Sequence, residues 1–328
     1  MNFKKSFLLL ILMIVATSVV FAAGESEYKM RIGSHMSAYD NVGMSCIKFA
    51  ELVSERSNGR IETYVSTDGE LGDQRELTEM LRDGLLEVNT SLTTAPASYV
   101  GELALFELPF IYKDDAHMVR VLKALQPYVA ELLAPFNMVP TGYHDMGFRH
   151  MLNKKRPIYK VADMKGLKMR APNPMFAGMF LALGADSITV PWTEVYTALQ
   201  SGIVDGMEAS VSLIDANKFQ EQSKYLSKTY HIGGNMCFMI CKSWLDSLPE
   251  DLQKIVLECS DEASDYGFKM LMELEKSAIG NLVAGGVEVN EVEDLNEFRE
   301  KCIIFRDNYV KEKGPAFEKL YNMILAVE

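Results

Sequence analysis

Short β-branched runs and amphipathic stretches alternate along this chain in two separate series, and that rhythm restricts the fold more than any other feature. In the first series "YKMRIGS" (28–34), "GRIETYVS" (59–66) and "LLEVNTS" (85–91) read as strands. Helical spacing runs from Val42 to Arg56 and from Asp73 to Leu81 between them. A strand–helix–strand–helix–strand order implies a parallel sheet covered by helices. A helix from about Asp114 to Leu133 and the strand "MVPTGYH" follow. The second series begins near Gly147 with "PIYK", "LKMRA", a helix from Asn173 to Leu183, "SITV", a helix over Trp192 to Gln200, and "IVDGMEA". Strand-like "NMCFMICK" comes next, then a long amphipathic pattern over residues 247–283 with Pro249 at its first turn. Two α/β lobes joined by more than one crossing, with a long helix across both, accommodate this order.

The start of the chain sets the compartment. Lys4 and Lys5 precede an apolar run that ends in small residues, with Val20-Phe21-Ala22 as an A-x-A-like cleavage site. Residues 1–22 read as a secretory signal peptide, and the expected destination is the periplasm. No basic stop-transfer cluster follows, and no cysteine near the cut suggests a lipid anchor. Cleavage removes two lysines and no acids, so the formal net charge goes from −12 to −14. An acidic, exported chain of this size argues against nucleic acid or anionic lipid as partner and makes a locally basic pocket informative. Five cysteines, Cys46, Cys237, Cys241, Cys259 and Cys302, sit mostly in apolar runs and read as buried free thiols rather than a disulfide framework.

The usual catalytic signatures are missing: no nucleophile elbow, phosphate loop, H-E-x-x-H, dinucleotide fingerprint or C-x-x-C occurs. The densest polar cluster, His144, Asp145 and His150 in "YHDMGFRH", would need two imidazoles and a carboxylate to converge across a turn before it held a metal. It reads more simply as polar residues at a strand end and lobe junction, so no enzyme activity, metal or cofactor is expected. Two arginines draw more attention. Arg170 in "GLKMRAPNP" has no acid within three positions, and Arg149 in "GFRHMLNKKRPI" opens the second series. Each is either a solvated strand-end charge or a guanidinium waiting for a carboxylate it would grip through two parallel hydrogen bonds.

"FAELVSERSNGRIETYVSTDGELGDQRELTEMLRDGLLEV", "FELPFIYKD", "GFRHMLNKKRPI", "DMKGLKMRAPNP", "PWTEVYTALQSGIVDGMEAS" and "SLPEDLQKIV" occur in that order. Together they closely resemble the extracytoplasmic solute-binding proteins of tripartite ATP-independent periplasmic (TRAP) transporters, the dicarboxylate-binding-protein family, from Tyr28 to about Gly314. The resemblance implies a two-lobed α/β fold of the periplasmic-binding-protein type. Each lobe is a β-sheet flanked by helices, and a long helix spans both. The expected division is residues 23–146 with 235–274 as lobe I and 147–234 with 275–328 as lobe II. It further implies that Arg170 pairs with a ligand carboxylate and that Arg149 supports the same group. Trp192 would pack on the ligand, and His35, Gln74 and Thr93 occupy positions that reach it in relatives.

One departure bears on the substrate. Where the family commonly has Glu-Asn-Pro, with the asparagine bonding the carboxylate, this chain has Glu208, Ala209 and Ser210. A methyl group offers no donor, so the pocket is expected to be larger or drier there, or to use Ser210. Glu208 is either a ligand contact or a structural acid. The expected ligand is a sugar acid such as a uronate or aldonate, because Trp192 offers a stacking face and the polar positions offer hydroxyl partners. C4-dicarboxylates, and hydroxy- or keto-monocarboxylates, are the alternatives. A secreted metal-dependent enzyme and a ligand-free scaffold or sensor are the readings from other classes. The expected partners are the ligand and the TRAP membrane subunits, and the expected state is a monomer.

Overall fold

The structure, a computed structural model, describes residues 26–328; the expected signal peptide lies outside the described residues. Two sheets carry the fold. The first has the order β2 (Ile61–Ser66), β1 (Tyr28–Gly33), β3 (Val88–Leu92), β10 (Gly233–Cys241) and β4 (Met138–Phe148). The second has the order β11 (Glu288–Glu291), β9 (Tyr225–Lys228), β5 (His150–Asn153), β8 (Gly206–Ala209), β6 (Lys168–Ala171) and β7 (Asp186–Thr189). The expected parallel pairing covers β2, β1 and β3 only; β10 enters antiparallel to both β3 and β4. All nine residues of β10 are buried, which is why "NMCFMIC" is apolar without alternation.

The helices begin where short polar side chains meet orphan backbone N–H groups. Asp40 accepts from Val42 and Gly43 to start α1 (Asn41–Arg56), and Asp73 and Glu76 form a capping box on α2 (Gln74–Arg82). Asp114 caps α3 (Asp115–Leu133), and Asn173, followed by Pro174, caps α4 (Pro174–Ala182). The expected helix over Trp192–Gln200 is a 3₁₀ turn, Trp192–Glu194, followed by α5 (Val195–Ser201). "PIYK" forms no strand. Pro157 has no N–H, and Ile158 spends its backbone groups on side chains, its N–H on Ser227 Oγ and its carbonyl on Asn290 Nδ2.

After α6 (Val211–Ala216) and α7 (Lys242–Ser247), Pro249 leads into α8 (Glu250–Ala284), 35 residues and so about 52 Å long. Its buried positions, among them Leu252, Val256, Cys259, Ala263, Gly267, Leu271, Ala278 and Leu282, fall on one face at steps of three, four or, from Leu271 to Ala278, seven residues. The first half packs on α1 and β4, and the second half on α6 and β11. Helix α8 is therefore one crossing between the sheets, and the chain passes between them twice more. It does so at Arg149, between β4 and β5, and over residues 229–232, between β9 and β10. Helix α9 (Leu295–Lys313) packs on α4, whereas α10 (Pro315–Leu325) packs on α3 and the turn Gly101–Glu107. All five cysteines are free and buried, and no helix among the described residues is long and apolar enough to cross a membrane.

Candidate functional site

A cavity of about 300 Å³ lies between the two sheets, lined by residues from both. From the first come His35, just past β1, and Gln74, which opens α2; from the second come Arg149, Arg170 and Trp192. The lobes touch at the mouth. Gly69 comes so close to Thr193 that a Cβ there would lie 2.7 Å from Thr193 Cγ2. Met36, Leu92, Met146, Leu213 and Met236 form an apolar floor.

The two arginines have different partners. Arg149 sits where β4 passes into β5, and its backbone N–H donates to Ile232 O at 2.9 Å across the neighbouring crossing. Its guanidinium grips Glu208, Nη2 donating to Oε1 at 2.7 Å and to the backbone carbonyl at 3.0 Å, while Nε donates to Oε2. Burial alone would lower the Arg149 pKa; the charge and hydrogen bonds of Glu208 more than reverse this, and it is raised. Arg170, 3% exposed on β6, donates Nε to Val190 O at 2.8 Å and has no other hydrogen-bond partner among the described residues. Its guanidinium lies 5.7 Å from the centre of the Trp192 ring. Burial pulls its pKa down to about 9, with Glu208 opposing and Arg149 adding to the fall. It remains a cation at neutral pH, with donors to spare.

His35 faces this charge. It is buried, its Nδ1 has no partner among the described residues, and burial followed by the Arg170 charge pulls its pKa down to about 4. It is a neutral imidazole able to donate or accept. Gln74 is half committed, its Oε1 accepting from Leu92 N at 3.2 Å. Glu107 lies outside the lining, its Oε2 accepting a hydrogen bond from the Thr94 hydroxyl, and burial pushes its carboxyl up to about 7.

Five of the eight residues singled out in the sequence thus line the cavity: Arg170, Arg149, Trp192, His35 and Gln74. Thr93, Glu208 and Ser210 are fully buried and stand behind the wall. Thr93 Oγ1 has no partner among the described residues, Glu208 is spent on Arg149, and Ser210 Oγ lies 3.3 Å from Ser212 Oγ. Ala209 belongs to the apolar cluster that supplies the floor. Asp73 and Arg75 also line the cavity and were not anticipated as site residues; the helix start they flank was the available signal. Arg75 is drawn off, its Nε donating to Glu79 at 2.9 Å. Of the other cluster, His144 Nε2 meets Ser45 Oγ at 2.5 Å and His150 packs edge-on against Tyr230, so the two imidazoles serve separate packing roles. No trio of His, Cys, Asp or Glu suited to a metal occurs among the described residues.

The model of the family described as "Bacterial extracellular solute-binding protein, family 7" matches residues 32–312. The chain belongs to that family. A 2,3-diketo-L-gulonate-binding periplasmic protein of Escherichia coli K12 is 28% identical over 307 residues, 90% of this chain and 94% of that one. A crystal structure of a TRAP periplasmic solute-binding protein from Roseobacter denitrificans, with bound β-D-glucuronate, superposes with a TM-score of 0.87. It shares 28% identity, with 92% of this chain and 100% of that one covered. Its counterpart from Sulfitobacter sp. NAS-14.1, with bound β-D-galacturonate, gives a TM-score of 0.86 at 27% identity, covering 90% and 99%. The two-lobed fold and the solute-binding family expected from the sequence are both shown.

Proposed function

We propose that this solute-binding protein captures a sugar monocarboxylate in the cleft, closes on it, and delivers it in the periplasm to TRAP membrane subunits without chemical change. One observation carries the reading. Arg170 is buried in the cavity with its terminal donors uncommitted, while Arg149 is already neutralised by Glu208. Arg170 is thus the buried cation of the wall that no carboxylate of the chain grips, which suits one ligand carboxylate, and neutral His35 beside it adds no second charge. A dicarboxylate would want a second free cation, and Arg75 at the rim is tied to Glu79. The volume is at the lower end for ligand sites, the size class of a single sugar ring. Trp192 supplies the apolar face, and His35, Gln74 and Asp73 can serve hydroxyl groups.

The moving units we propose are residues 23–146 with 235–274 and residues 147–234 with 275–314. The terminal helix α10, packed on α3, travels with the first. The protein acts as a monomer, with no nucleic-acid partner. Calorimetric titration with D-glucuronate, D-galacturonate, galactonate and succinate tests the substrate class. Tighter binding of at least one sugar acid than of succinate is expected; succinate binding tightest by about tenfold, some 1.4 kcal/mol, would reverse the assignment.

A further inference from the structure

Asp145, conspicuous in the sequence between two histidines, takes no part in the cleft. Its Oδ1 accepts from Gly147 N at 2.7 Å, and its Oδ2 is buried with no hydrogen-bond partner among the described residues. Tyr143, two residues earlier on β4, is 9% exposed, and its hydroxyl is likewise buried and unpartnered. Both open onto a second cavity, of about 600 Å³, between α3, β4 and α8, which shares no lining residue with the cleft. Asp114, Asp115 and Asp265 line it as well, and Glu275 of α8 lies beyond it against Gly147. No Lys or Arg side-chain nitrogen and no His ring nitrogen comes within 4.0 Å of any of these five carboxylates among the described residues. Of the two basic residues in the lining, Arg120 donates to the carbonyl oxygen of Glu328 at 2.7 Å, and Lys123 makes no ion pair.

Burial, then neighbouring acids, pushes Asp145 up to about 8 and Glu275 up to about 7, as expected of carboxyls that lack a counter-charge. The missing charge is diffuse. No three of these acids converge as a metal ion requires. Ser264, whose hydroxyl donates to the Tyr143 backbone carbonyl, and the apolar Ala116, Val119 and Phe268 complete the wall, the last 39% exposed. Acids spread over a roomy pocket with an aromatic face suit an ammonium group on a hydrocarbon body better than a compact ion.

We propose that this pocket is a second ligand site, separate from the cleft, that takes a small organic amine, its ammonium group donating to Asp145 Oδ2 and the Tyr143 hydroxyl. Asp145 is tied to the amide of Gly147, so the amine binds directly behind the hinge.

Calorimetric titration of 1,4-diaminobutane into the full mature protein at low ionic strength tests this, with 1,4-butanediol and calcium chloride run in parallel. Saturable one-to-one binding of the diamine is expected, and none of the diol. Asp145→Asn should weaken it at least about tenfold. Phe268→Ala, at an exposed position that folding can spare, should weaken it about threefold through the lost ring face. Arg170→Ala should leave it unchanged, which separates this site from the carboxylate cleft. The proposal fails if no saturable heat appears, or if Asp145→Asn binds the diamine as tightly as the wild type. It also fails if Glu300→Gln on α9 weakens binding equally, because net charge alone would then explain it. Calcium binding more tightly than the diamine and displacing it would make the pocket a metal site instead.

Discussion

Arg149 and Arg170 are both buried guanidiniums, yet only one is answered within the chain. Arg149 has Glu208 from a strand 59 residues away, a pairing that no local reading of the sequence reveals. Arg170 has a single backbone carbonyl. Motif order pointed to both arginines, but the division of labour between them needed the β5–β8 pairing that brings Glu208 alongside Arg149. The same limit applies to Thr93 and Ser210, which lie near the cleft in sequence terms while their side chains stand behind its wall. Trp192, His35 and Gln74 came from the family resemblance, and the structure places each just past a strand or at the start of a helix, beside the cavity.

At this scale Arg170→Lys should recover only part of the affinity that Arg170→Ala loses, since an ammonium cannot reproduce the planar two-pronged contact. Equal affinity of the lysine variant and the wild type in calorimetry would mean that the contact is not bidentate. Ala209→Asn should shift preference toward smaller acids by placing an amide in the apolar floor cluster. An unchanged ranking across a panel of acids would show that this position does not reach the ligand.

Elements with strong periodicity were legible, and irregular ones were not. Helix α8 announced itself through apolar spacing over many turns, and α1 through the same spacing at Cys46, Phe49, Leu52 and Val53. "PIYK" misleads because its β-like composition is satisfied by the Ser227 and Asn290 side chains instead of a ladder.

The elements around the hinge also set a pH dependence. Burial raises Asp145, Glu275 and Glu107 to about 8, 7 and 7, so the folded state holds protons that the unfolded chain releases. Their contribution to stability therefore falls as pH rises from about 4 to about 8. His35, His144 and His150, pulled down by burial to about 4, 3 and 3, act oppositely. Their unfolded forms take up protons below about pH 6.5, so their contribution falls as pH drops from there. The two effects compete below that point, and above it the acids act alone. The melting temperature of the ligand-free protein should therefore decline between about pH 6.5 and 8, and Glu275→Gln should flatten the slope. A melting temperature that rises steadily over that interval contradicts the assignment.

On the scale of the whole molecule, the double α/β rhythm was enough to foresee two sheets and several crossings. The antiparallel entry of β10 was not foreseeable, because it depends on contacts between distant parts of the chain. The lobes approach each other at Gly69 and Thr193, across the cleft that a clamp would close. Opening would occur about the crossings at Arg149 and over residues 229–232, with α8 and the turn at Gly314 between α9 and α10 as further connections. A ligand shifts such an equilibrium only through what it binds better in one state, and here that is a carboxylate on Arg170 enclosed by both lobes. Truncating one partner of a buried charge pair costs about 2 to 5 kcal/mol, roughly thirty- to several-thousand-fold in affinity.

Small-angle scattering of the wild type and Arg170→Ala, each with and without a saturating sugar acid for the wild type, tests the clamp directly. The account predicts that the wild type contracts on adding the acid, while Arg170→Ala at the same concentration keeps the scattering profile of the empty protein. A wild-type profile that does not change at saturation, or an Arg170→Ala profile that contracts equally, would contradict it.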